Sequence, residues 1–321
     1  MRYKMDVSIV IVSWNTKDIL RDCLCSVYEN TSSVSFEVIV IDNASADASA
    51  QMVAEEFGDA VLIANTDNRG FAAANNQGMK ISRGRYVLLL NSDTVVLDRA
   101  IEKMITFADS KPGTAVAGCR VLNPDMTLQP TCFKYPSILN MTLSCSYLYK
   151  IFPKSRFFGR ERMTWWNRND TRQVDVVTGC FMLVRRSAID RVGLMDERFL
   201  MYAEETDWCY RFRQAGWEIH YTPSAQIIHL GGQSSKQVRS AMRTEVVVSV
   251  LKFMKKHHGW LGYHLACLVF FVYFLVRLPV LTVVAMSRSQ KRRNALCKVR
   301  AYVDGMAKIV TGVCDLKGAK L

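Results

Sequence analysis

Four short apolar runs separated by helix-like segments limit what this chain can fold into more than any other feature. The first run, residues 7–13, is continuous and β-branched, as expected of a strand buried on both faces of a parallel sheet. Similar runs follow at residues 36–41, 60–64 and 85–90. Strands that alternate with helices at this spacing predict an α/β fold with a doubly wound, mostly parallel sheet flanked by helices.

Polar side chains follow these strands at their carboxyl ends, where doubly wound sheets bind ligands. They are Asn15, Asp42, Asn43 and Asp93. We therefore expect one ligand site to gather them. Asp42 can accept hydrogen bonds from a base N–H or a ribose hydroxyl, although the Asp-Asn-Ala-Ser sequence that it begins is also a common turn.

The Asn-Arg-Gly sequence at residues 68–70 comes just before a helical pattern. Backbone N–H groups at a helix N-terminus and the cation of Arg69 suit a diphosphate. Gly70 can take the backbone conformation that such a close approach needs. A plain helix start is the alternative explanation of this turn.

A later region of the chain contributes three acids and a histidine. Glu204, Glu205 and Asp207 begin a helical pattern, and His229 stands beside a glycine pair. Together with the strand-end Asp93, these groups are the parts needed to hold a divalent cation and to deprotonate a hydroxyl. A structural explanation remains open for each, because acids complement a helix N-terminus and a lone histidine after a strand is usually structural.

Taken in order, these segments resemble the family-2 glycosyltransferases and, more narrowly, their rhamnosyltransferase-like branch. The similar sequences are VSIVIVSWNTKDILRDCLCSV, EVIVIDNASADAS, NRGFAAANNQGM, YVLLLNSDT and the Glu-Glu and His-Gly-Gly segments, within about residues 5–235. The resemblance implies a GT-A fold, a divalent metal and inversion at the sugar carbon. It also implies a nucleotide-sugar donor, which is a dTDP- or UDP-sugar, with dTDP-rhamnose as the first choice. The implied acceptor is a lipid-linked or cell-surface glycan.

The resemblance implies a donor and metal site. Its donor-binding residues are Ser13, Asn15, Asp42, Asn43, Asn68, Arg69, Gly70, Asn91 and Ser92. Asp93 corresponds to the last acid of the family's DxD motif, and His229 would be the other protein ligand of Mg²⁺ or Mn²⁺. Because Asn91 stands at the first position of that motif, we expect the protein to bind metal weakly and to rely on donor phosphates.

Three acids are the catalytic candidates. Glu205 matches the family's general base, and Asp207 is the alternative base, while Glu204 or Asp207 would orient the backbone or the acceptor. Neighbouring acids raise one pKa, which helps a base to work near neutral pH. Separately, Arg185 and Arg186 are expected either to contact phosphates of a lipid-linked acceptor or to form an exposed helix start.

Charge and hydropathy divide the chain near residue 258. The net charge is +13, and residues 246–303 contain ten Lys or Arg and no Asp or Glu. This basic region surrounds the apolar residues 260–286, which favours the cytoplasmic face of a cell membrane. Because Arg277 and Pro279 divide the apolar stretch, we expect re-entrant or interfacial helices rather than a span, with a buried helix pair as the alternative. The predicted units are a transferase domain, 1–258, and a membrane-associated segment, 259–321.

Several classes of protein are disfavoured. The ten cysteines include no CxxC pair, so we expect core thiols in a reducing cytoplasm and no zinc site. We expect no cleavable signal peptide, because the first residues lead directly into a strand-like run. No GxGxxG follows the first strand, which argues against a nicotinamide oxidoreductase. The aromatic residues near the basic region are embedded in aliphatic sequence, which argues against nucleic-acid binding. A nucleotidyltransferase and an inactive membrane-bound scaffold remain as alternative functions.

Overall fold

The computed structural model describes residues 3–232, 239–286 and 292–311. The elements of its first part are β1 Met5–Ser13, α1 Lys17–Glu29, β2 Phe36–Asp42, α2 Ser49–Glu56, β3 Val61–Ala64, α3 Gly70–Ile81, β4 Gly84–Asn91, β5 Thr94–Val96, α4 Ala100–Asp109 and β6 Thr114–Leu122. The four predicted strands are all present, with each boundary within two residues of the prediction. The alternation of apolar runs and helical patterns therefore identified this half of the fold correctly.

The second part mixes short strands with helices. Its elements are β7 Cys132–Phe133, α5 Ile138–Ser146, α6 Leu148–Ile151, β8 Arg172–Gln173, β9 Val176–Val177, β10 Phe181–Arg185, α7 Arg186–Val192, α8 Glu204–Gln214, β11 Glu218–His229, α9 Arg239–Met286 and α10 Arg292–Thr311. The longest strand of this part is β11, whose pairing with β6 shifts register between Tyr221 and Gln226.

The main sheet has the strand order β3-β2-β1-β4-β10-β6-β11-β5, with β8 paired to β11. β1 runs parallel to β2 and β4, and β11 runs parallel to β6, whereas β10 is antiparallel to both of its neighbours. The parallel register places Ser13 opposite Asp42, and Val12 opposite Asn91. The carboxyl ends of these three strands therefore meet at one edge of the sheet, as predicted.

Alternate residues of β1 enter two hydrophobic cores. Ile9 and Ile11 pack in the layer that contains α1 and α4, whereas Val10 packs in the layer that contains α3, α7 and α8. All three side chains are fully buried. A strand covered on both faces needs apolar residues at every position, which explains the continuous run at residues 7–13. The predicted mostly parallel sheet flanked by helices is confirmed.

The apolar C-terminal stretch forms a long helix. α9 continues through Arg277 and Pro279 to Met286, so the expected division at those residues is wrong. The helix breaks instead at Gly259, whose φ of 67° is in the left-handed region. Within the described residues one helix, Thr244–Met286, is long and apolar enough to cross a membrane. Only 11% of its most apolar stretch is buried, which argues against a buried helix pair.

Two parts of the sequence predictions lie outside the described residues. They are residues 233–238, which include Gln233 and Ser234 of the Gly-Gly-Gln-Ser sequence, and residues 287–291 with 312–321 of the expected membrane-associated segment. The described cysteines are all free, and most of them are buried. Their burial agrees with the expectation that they serve as small core residues.

Candidate active site

A cleft of about 430 Å³ opens at the carboxyl ends of β1 and β4. Its volume falls in the range of small-molecule sites. Of the predicted site residues, the cleft is lined by Asn43, Asn68, Gly70, Asn91, Ser92, Asp93, Glu204, Glu205 and His229. Asp93, Glu205 and His229 are far apart in sequence, and the structure brings all three to the wall of this one cleft.

Asp93 and His229 face each other because of the sheet register. Asp93 lies in the tight turn between β4 and β5, and β5 pairs antiparallel with the end of β11, so that His229 stands opposite Thr94. The His229 Nε2 lies 3.1 Å from Asp93 Oδ1. Both side chains are largely buried, with 13% and 8% of their surfaces exposed.

Gln129 determines which nitrogen of His229 carries a hydrogen. Its Nε2 donates to Asn123 Oδ1 at 2.8 Å and to the His229 carbonyl at 3.1 Å. This orients the amide so that Oε1 accepts from His229 Nδ1 at 2.6 Å. In the neutral imidazole Nε2 is then the nitrogen with the lone pair, and it faces the Asp93 carboxylate. Gln129 lies 100 residues before His229 and outside every motif, so no sequence pattern identified it.

The donor atoms of this pair fit a divalent cation. The Asp93 carboxylate oxygen and the His229 Nε2 lie 3.1 Å apart, and in the neutral tautomer that Gln129 favours both can coordinate one shared cation. Among the described residues no group of three or more His, Cys, Asp or Glu side chains is placed to hold a metal. A cation held here would therefore keep most of its coordination sphere for other ligands.

Glu204 and Glu205 begin α8 after a strained turn. Tyr202 and Ala203 both have positive φ, 68° and 63°, which is costly for residues other than glycine. Burial and the charge of Glu205 raise the pKa of the Glu204 carboxyl well above its usual value. Burial also raises the pKa of the Glu205 carboxyl. In each side chain the Oε2 oxygen is buried and has no hydrogen-bond partner among the described residues.

Asn43 organises the loop that follows β3. Its Nδ2 donates to Asn68 Oδ1 at 2.9 Å, and its Oδ1 accepts from Asn65 Nδ2 at 3.1 Å and from the Arg69 backbone N–H at 3.3 Å. Gly70 lies against the Leu200 backbone, where a Cβ atom would come within 2.4 Å of the carbonyl oxygen. Glycine is therefore required at this contact between the loop and the segment before α8.

The model of glycosyl transferase family 2 matches residues 8–193 of this chain. The chain belongs to this family. An N-acetylglucosaminyl-diphospho-decaprenol L-rhamnosyltransferase of Mycobacterium tuberculosis is 26% identical over 238 residues, 70% of this chain and 76% of that protein. A low-salt glycan biosynthesis hexosyltransferase of Haloferax volcanii is 25% identical and covers 70% of this chain and 67% of its own length. The predicted resemblance to rhamnosyltransferases is confirmed.

Solved structures of glycosyltransferases share the fold. A mannosyltransferase from Pyrobaculum calidifontis, in complex with GDP-Man and Mn²⁺, gives a TM-score of 0.54 at 15% identity. It covers 96% of this chain and 88% of its own. GalNAc-T7 with UDP, GalNAc and Mn²⁺ gives a TM-score of 0.52 at 14% identity and covers 70% of this chain and 43% of its own. At these identities the likeness shows the fold alone, which is the predicted GT-A fold.

In this glycosyltransferase Asp207 lies outside the cleft lining and is completely buried. Its carboxylate binds Arg211 Nε at 2.8 Å, Lys256 Nζ at 2.6 Å and His257 Nε2 at 2.7 Å. Burial acts to raise the pKa of Asp207, but His257, Lys256 and Arg211 outweigh it and lower the pKa. Its role as an alternative base is therefore corrected: Asp207 holds helix α8 to helix α9.

The expectation that the Asn68-Arg69-Gly70 turn offers free backbone N–H groups to a diphosphate is also corrected. The Arg69 N–H donates to Asn43 Oδ1, the Gly70 N–H to Asn68 Oδ1 at 3.0 Å, and the next N–H, that of Phe71, to the Leu200 carbonyl at 2.9 Å. The Arg69 side chain is exposed, pairs with Asp67 at 3.5 Å and does not line the cleft. Its contact with phosphate stays a prediction.

The remaining donor residues lie behind or beside the cleft. Ser13 Oγ contacts Thr16 Oγ1, which contacts the cleft residue Ser92 at 3.2 Å. Asn15 Oδ1 accepts from the Ala46 N–H at 2.7 Å and so supports the turn after β2. Asp42 Oδ2 accepts from the N–H of Ser45 in the same turn, as the local explanation required, yet Asp42 Oδ1 is buried without a partner among the described residues.

Arg185 and Arg186 contact the backbone far from the cleft. Because β10 is antiparallel to β4, its last residue Arg185 pairs with Tyr86 near the start of β4, at the opposite edge of the sheet. Arg185 Nε donates to the Thr114 carbonyl at 2.9 Å, and Arg186 Nη2 donates to the Ser82 carbonyl at 3.0 Å. The predicted helix start is confirmed, since α7 begins at Arg186, but both side chains are half-buried rather than exposed. Their position at the opposite edge of the sheet contradicts a contact with phosphates in the cleft.

Proposed function

We propose that the chain is an inverting, metal-dependent glycosyltransferase that uses a dTDP- or UDP-sugar, with rhamnose as the sugar. Its acceptor is a hydroxyl of a lipid-linked or cell-surface glycan. The observation that carries this proposal is the convergence of Asp93, His229 and Glu205 on one cleft. The match to a rhamnosyltransferase whose name specifies a diphospho-decaprenol acceptor supports the choice of sugar and acceptor.

The nucleotide is assigned to the β1–β2 side of the cleft. There Asp42 Oδ1, which is buried and has no partner among the described residues, is available to accept a hydrogen bond from a base N–H or a ribose hydroxyl. The polar side chains of Asn43, Asn68 and Ser92 line the cleft beside it. A buried acceptor that lacks a hydrogen bond costs free energy, and a donor substrate that supplies the bond recovers that cost.

Asp93 and His229 are the residues that would hold the cation, with Asn91 and Gln129 fixing the imidazole. When bound, the cation neutralises charge that develops on the departing nucleoside diphosphate. Mn²⁺ is the first choice because imidazole suits softer cations, and Mg²⁺ is the alternative. The two structures with the same fold were solved with Mn²⁺, which agrees with this choice.

Glu205 is assigned as the general base. The acceptor oxygen bonds to the anomeric carbon from the face opposite the diphosphate, the bond from that carbon to the diphosphate oxygen breaks, and the hydroxyl proton passes to the Glu205 carboxylate. A raised pKa makes this carboxylate a stronger base than an exposed one. Glu204, buried beside it, keeps its proton more readily and limits the negative charge around the base.

Residues 1–258 form the proposed transferase domain and residues 259–321 the proposed membrane-associated segment. The helix break at Gly259 and the exposed apolar surface of α9 after it support this division. The basic residues around α9 favour an anionic membrane surface and therefore the cytoplasmic face. On this proposal the soluble donor and the lipid-linked acceptor meet at the membrane surface.

Release of nucleoside diphosphate tests the proposal. The purified full chain is incubated with a panel of dTDP- and UDP-sugars and a lipid-linked acceptor extract, with Mn²⁺, with Mg²⁺ or with chelator. We expect release and a glycosylated lipid product only with metal, and loss of both in Asp93→Asn. A chain that binds a nucleotide sugar but releases no diphosphate with any donor is instead the inactive scaffold. A sugar other than rhamnose in the product corrects the donor alone.

A further inference from the structure

The segment from Tyr147 to Arg160, which we call the 147–160 segment, exposes a cluster of large apolar side chains outside the cleft. Ile151 is 69% exposed, Phe152 49% and Phe157 52%. Soluble surfaces rarely leave such side chains in a group. They belong to helix α6 and the turns that follow it, which the proposed transferase reaction does not use.

Exposed cations alternate with these apolar residues. They are Lys150, Lys154, Arg156 and Arg160. No Asp or Glu occurs between Asp125 and Glu161, so the segment is purely basic. Alternating cations and exposed aromatic or aliphatic side chains are typical of surfaces that rest on anionic lipid, where the rings enter the headgroup layer and the cations stay in water.

The 147–160 segment is attached to the apolar part of α9. Arg277, in the middle of that helix, donates from Nη2 to the Cys145 carbonyl at 2.8 Å. Its guanidinium lies 4.7 Å from the Tyr147 ring centre and 4.2 Å from that of Tyr273. The neighbouring α9 residue Val276 is 64% exposed. The basic segment is therefore continuous with the exposed apolar face of α9.

We propose that the 147–160 segment is a second membrane-contacting surface, which docks on the anionic surface of a phospholipid bilayer beside α9. Charge complementarity and continuity with α9 carry the choice of a bilayer as the partner. Stable membrane attachment generally takes two signals, and a basic aromatic surface next to an apolar helix supplies both. The membrane association proposed for α9 is thereby extended to a part of the transferase domain.

The location of the segment has a consequence for the cleft. Residues 129–131 and 133 line the cleft, and helix α5 connects them to the 147–160 segment. Docking of this segment would keep that wall of the cleft near the bilayer surface. This consequence depends on the proposed lipid-linked acceptor, whereas docking itself does not depend on transferase activity.

Photo-crosslinking in proteoliposomes tests the proposal with the full chain. A benzophenone amino acid replaces Phe152, and in separate samples Leu268 of α9 and the exposed Tyr3. Vesicles contain phosphatidylcholine with or without one-quarter phosphatidylglycerol, and mass spectrometry identifies the adducts. We expect lipid adducts at positions 152 and 268 and few at position 3. The yield at position 152 should be several-fold higher in the anionic vesicles.

Charge variants provide the matched control. Lys154→Glu with Arg160→Glu should reduce the lipid adduct at position 152 in anionic vesicles to the level seen in neutral ones. Lys80→Glu with Arg191→Glu, on the exposed surfaces of α3 and α7, should leave it unchanged. The proposal would be overturned by lipid adducts at position 268 without any at position 152. It would also be overturned if position 152 formed adducts only to protein and none to lipid. Absence of lipid adducts at both positions overturns it together with the membrane association of α9, while the diphosphate-release assay still judges the proposed reaction.

Discussion

At the scale of single residues, the cleft holds ionisable groups in positions that are buried or half-buried. Glu204 is a buried acid and Glu205 a half-buried one, both with raised pKa values, and His229 Nε2 lies 3.1 Å from the Asp93 carboxylate. Such arrangements cost stability, and they are concentrated where chemistry needs them.

Glu205→Gln removes the proposed base but keeps the size of the side chain. We expect the rate of sugar transfer to fall by roughly 10²–10⁴-fold, because no carboxylate remains to accept the proton of the acceptor hydroxyl. Affinity for the nucleotide, measured by calorimetry, should stay within about twofold, and Glu29→Gln on the exposed surface of α1 should leave both quantities unchanged. Loss of nucleotide affinity in Glu205→Gln would assign this residue to donor binding instead.

Gln129→Met removes both amide contacts to His229 while keeping a similar volume. The imidazole then loses the partner that fixes its tautomer, and the loss of such a partner typically costs about 10–100-fold in metal affinity. We expect that weakening for Mn²⁺ titrated into the protein with nucleoside diphosphate and followed by electron paramagnetic resonance. Gln51→Met on helix α2 is the control. Unchanged Mn²⁺ affinity in Gln129→Met would remove His229 from the metal site.

Glu204→Gln tests the cost of a buried carboxylate. The folded protein raises the pKa of Glu204 above its unfolded value, so its contribution to stability is present at low pH and is lost as pH rises through the folded value. A neutral glutamine avoids that loss. We expect a melting temperature higher by roughly 2–4 °C at pH 8.5, which corresponds to about 1 kcal/mol, and no gain at pH 4. A gain that is equal at both pH values would contradict this explanation.

At the scale of elements, α9 holds the segment that carries the proposed base. Asp207 of α8 binds Lys256 and His257, and Ser249 donates to the Met201 carbonyl at 2.9 Å, just before the strained turn at Tyr202. The amino-terminal half of α9 is thus part of the support of the active site. Only the half after Gly259 exposes a long apolar surface.

Asp207→Asn tests this support. It leaves Lys256 and Arg211 facing a neutral side chain in a buried position, and breaking a buried ion pair typically costs about 3–5 kcal/mol. Chemical denaturation in detergent should show a loss of that size, whereas Asp190→Asn on the exposed surface of α7 should change the unfolding free energy by less than about 0.5 kcal/mol. If Asp207→Asn has wild-type stability but no longer transfers sugar, Asp207 is a candidate general base after all.

At the scale of the whole molecule, positive charge and exposed apolar surface occur together. The part of α9 after Gly259 contacts Cys145 through Arg277 and the 147–160 segment through the stacked rings of Tyr273 and Tyr147. The apolar stretch of α9 is hardly covered by the rest of the protein. Water is an unfavourable surrounding for such a helix, whereas lipid is a favourable one.

Membrane fractionation tests whether the apolar helix retains the whole chain in the membrane. We expect the full chain to remain in the membrane pellet after high salt and after alkaline carbonate, because the apolar helix and not charge alone retains it. Host membrane proteins of known attachment, one integral and one peripheral, serve as markers. Extraction by salt would show that charge alone holds the chain at the membrane.

Sequence patterns and the family resemblance predicted the parallel core of the fold and nine of the residues that line the cleft. Residues 7–13 are largely apolar because the strand is covered on both faces, and parallel strands end at one edge, so Asn43 and Asp93 were predictable as neighbours. Glu205 and His229 were identified through their motifs. Local patterning suffices in these cases, since strand burial and strand direction follow from nearby residues.

Contacts between residues that are distant in sequence could not be predicted in this way. His229 reaches Asp93 through the pairing of β5 with β11, and Gln129 reaches His229 across 100 residues. Asp207 was a candidate base from its motif, but its carboxylate binds Lys256 and His257. Arg185 lies far from the cleft because β10 is antiparallel to β4. Contacts between distant segments depend on register and strand direction across the whole sheet, which no local pattern of residues specifies.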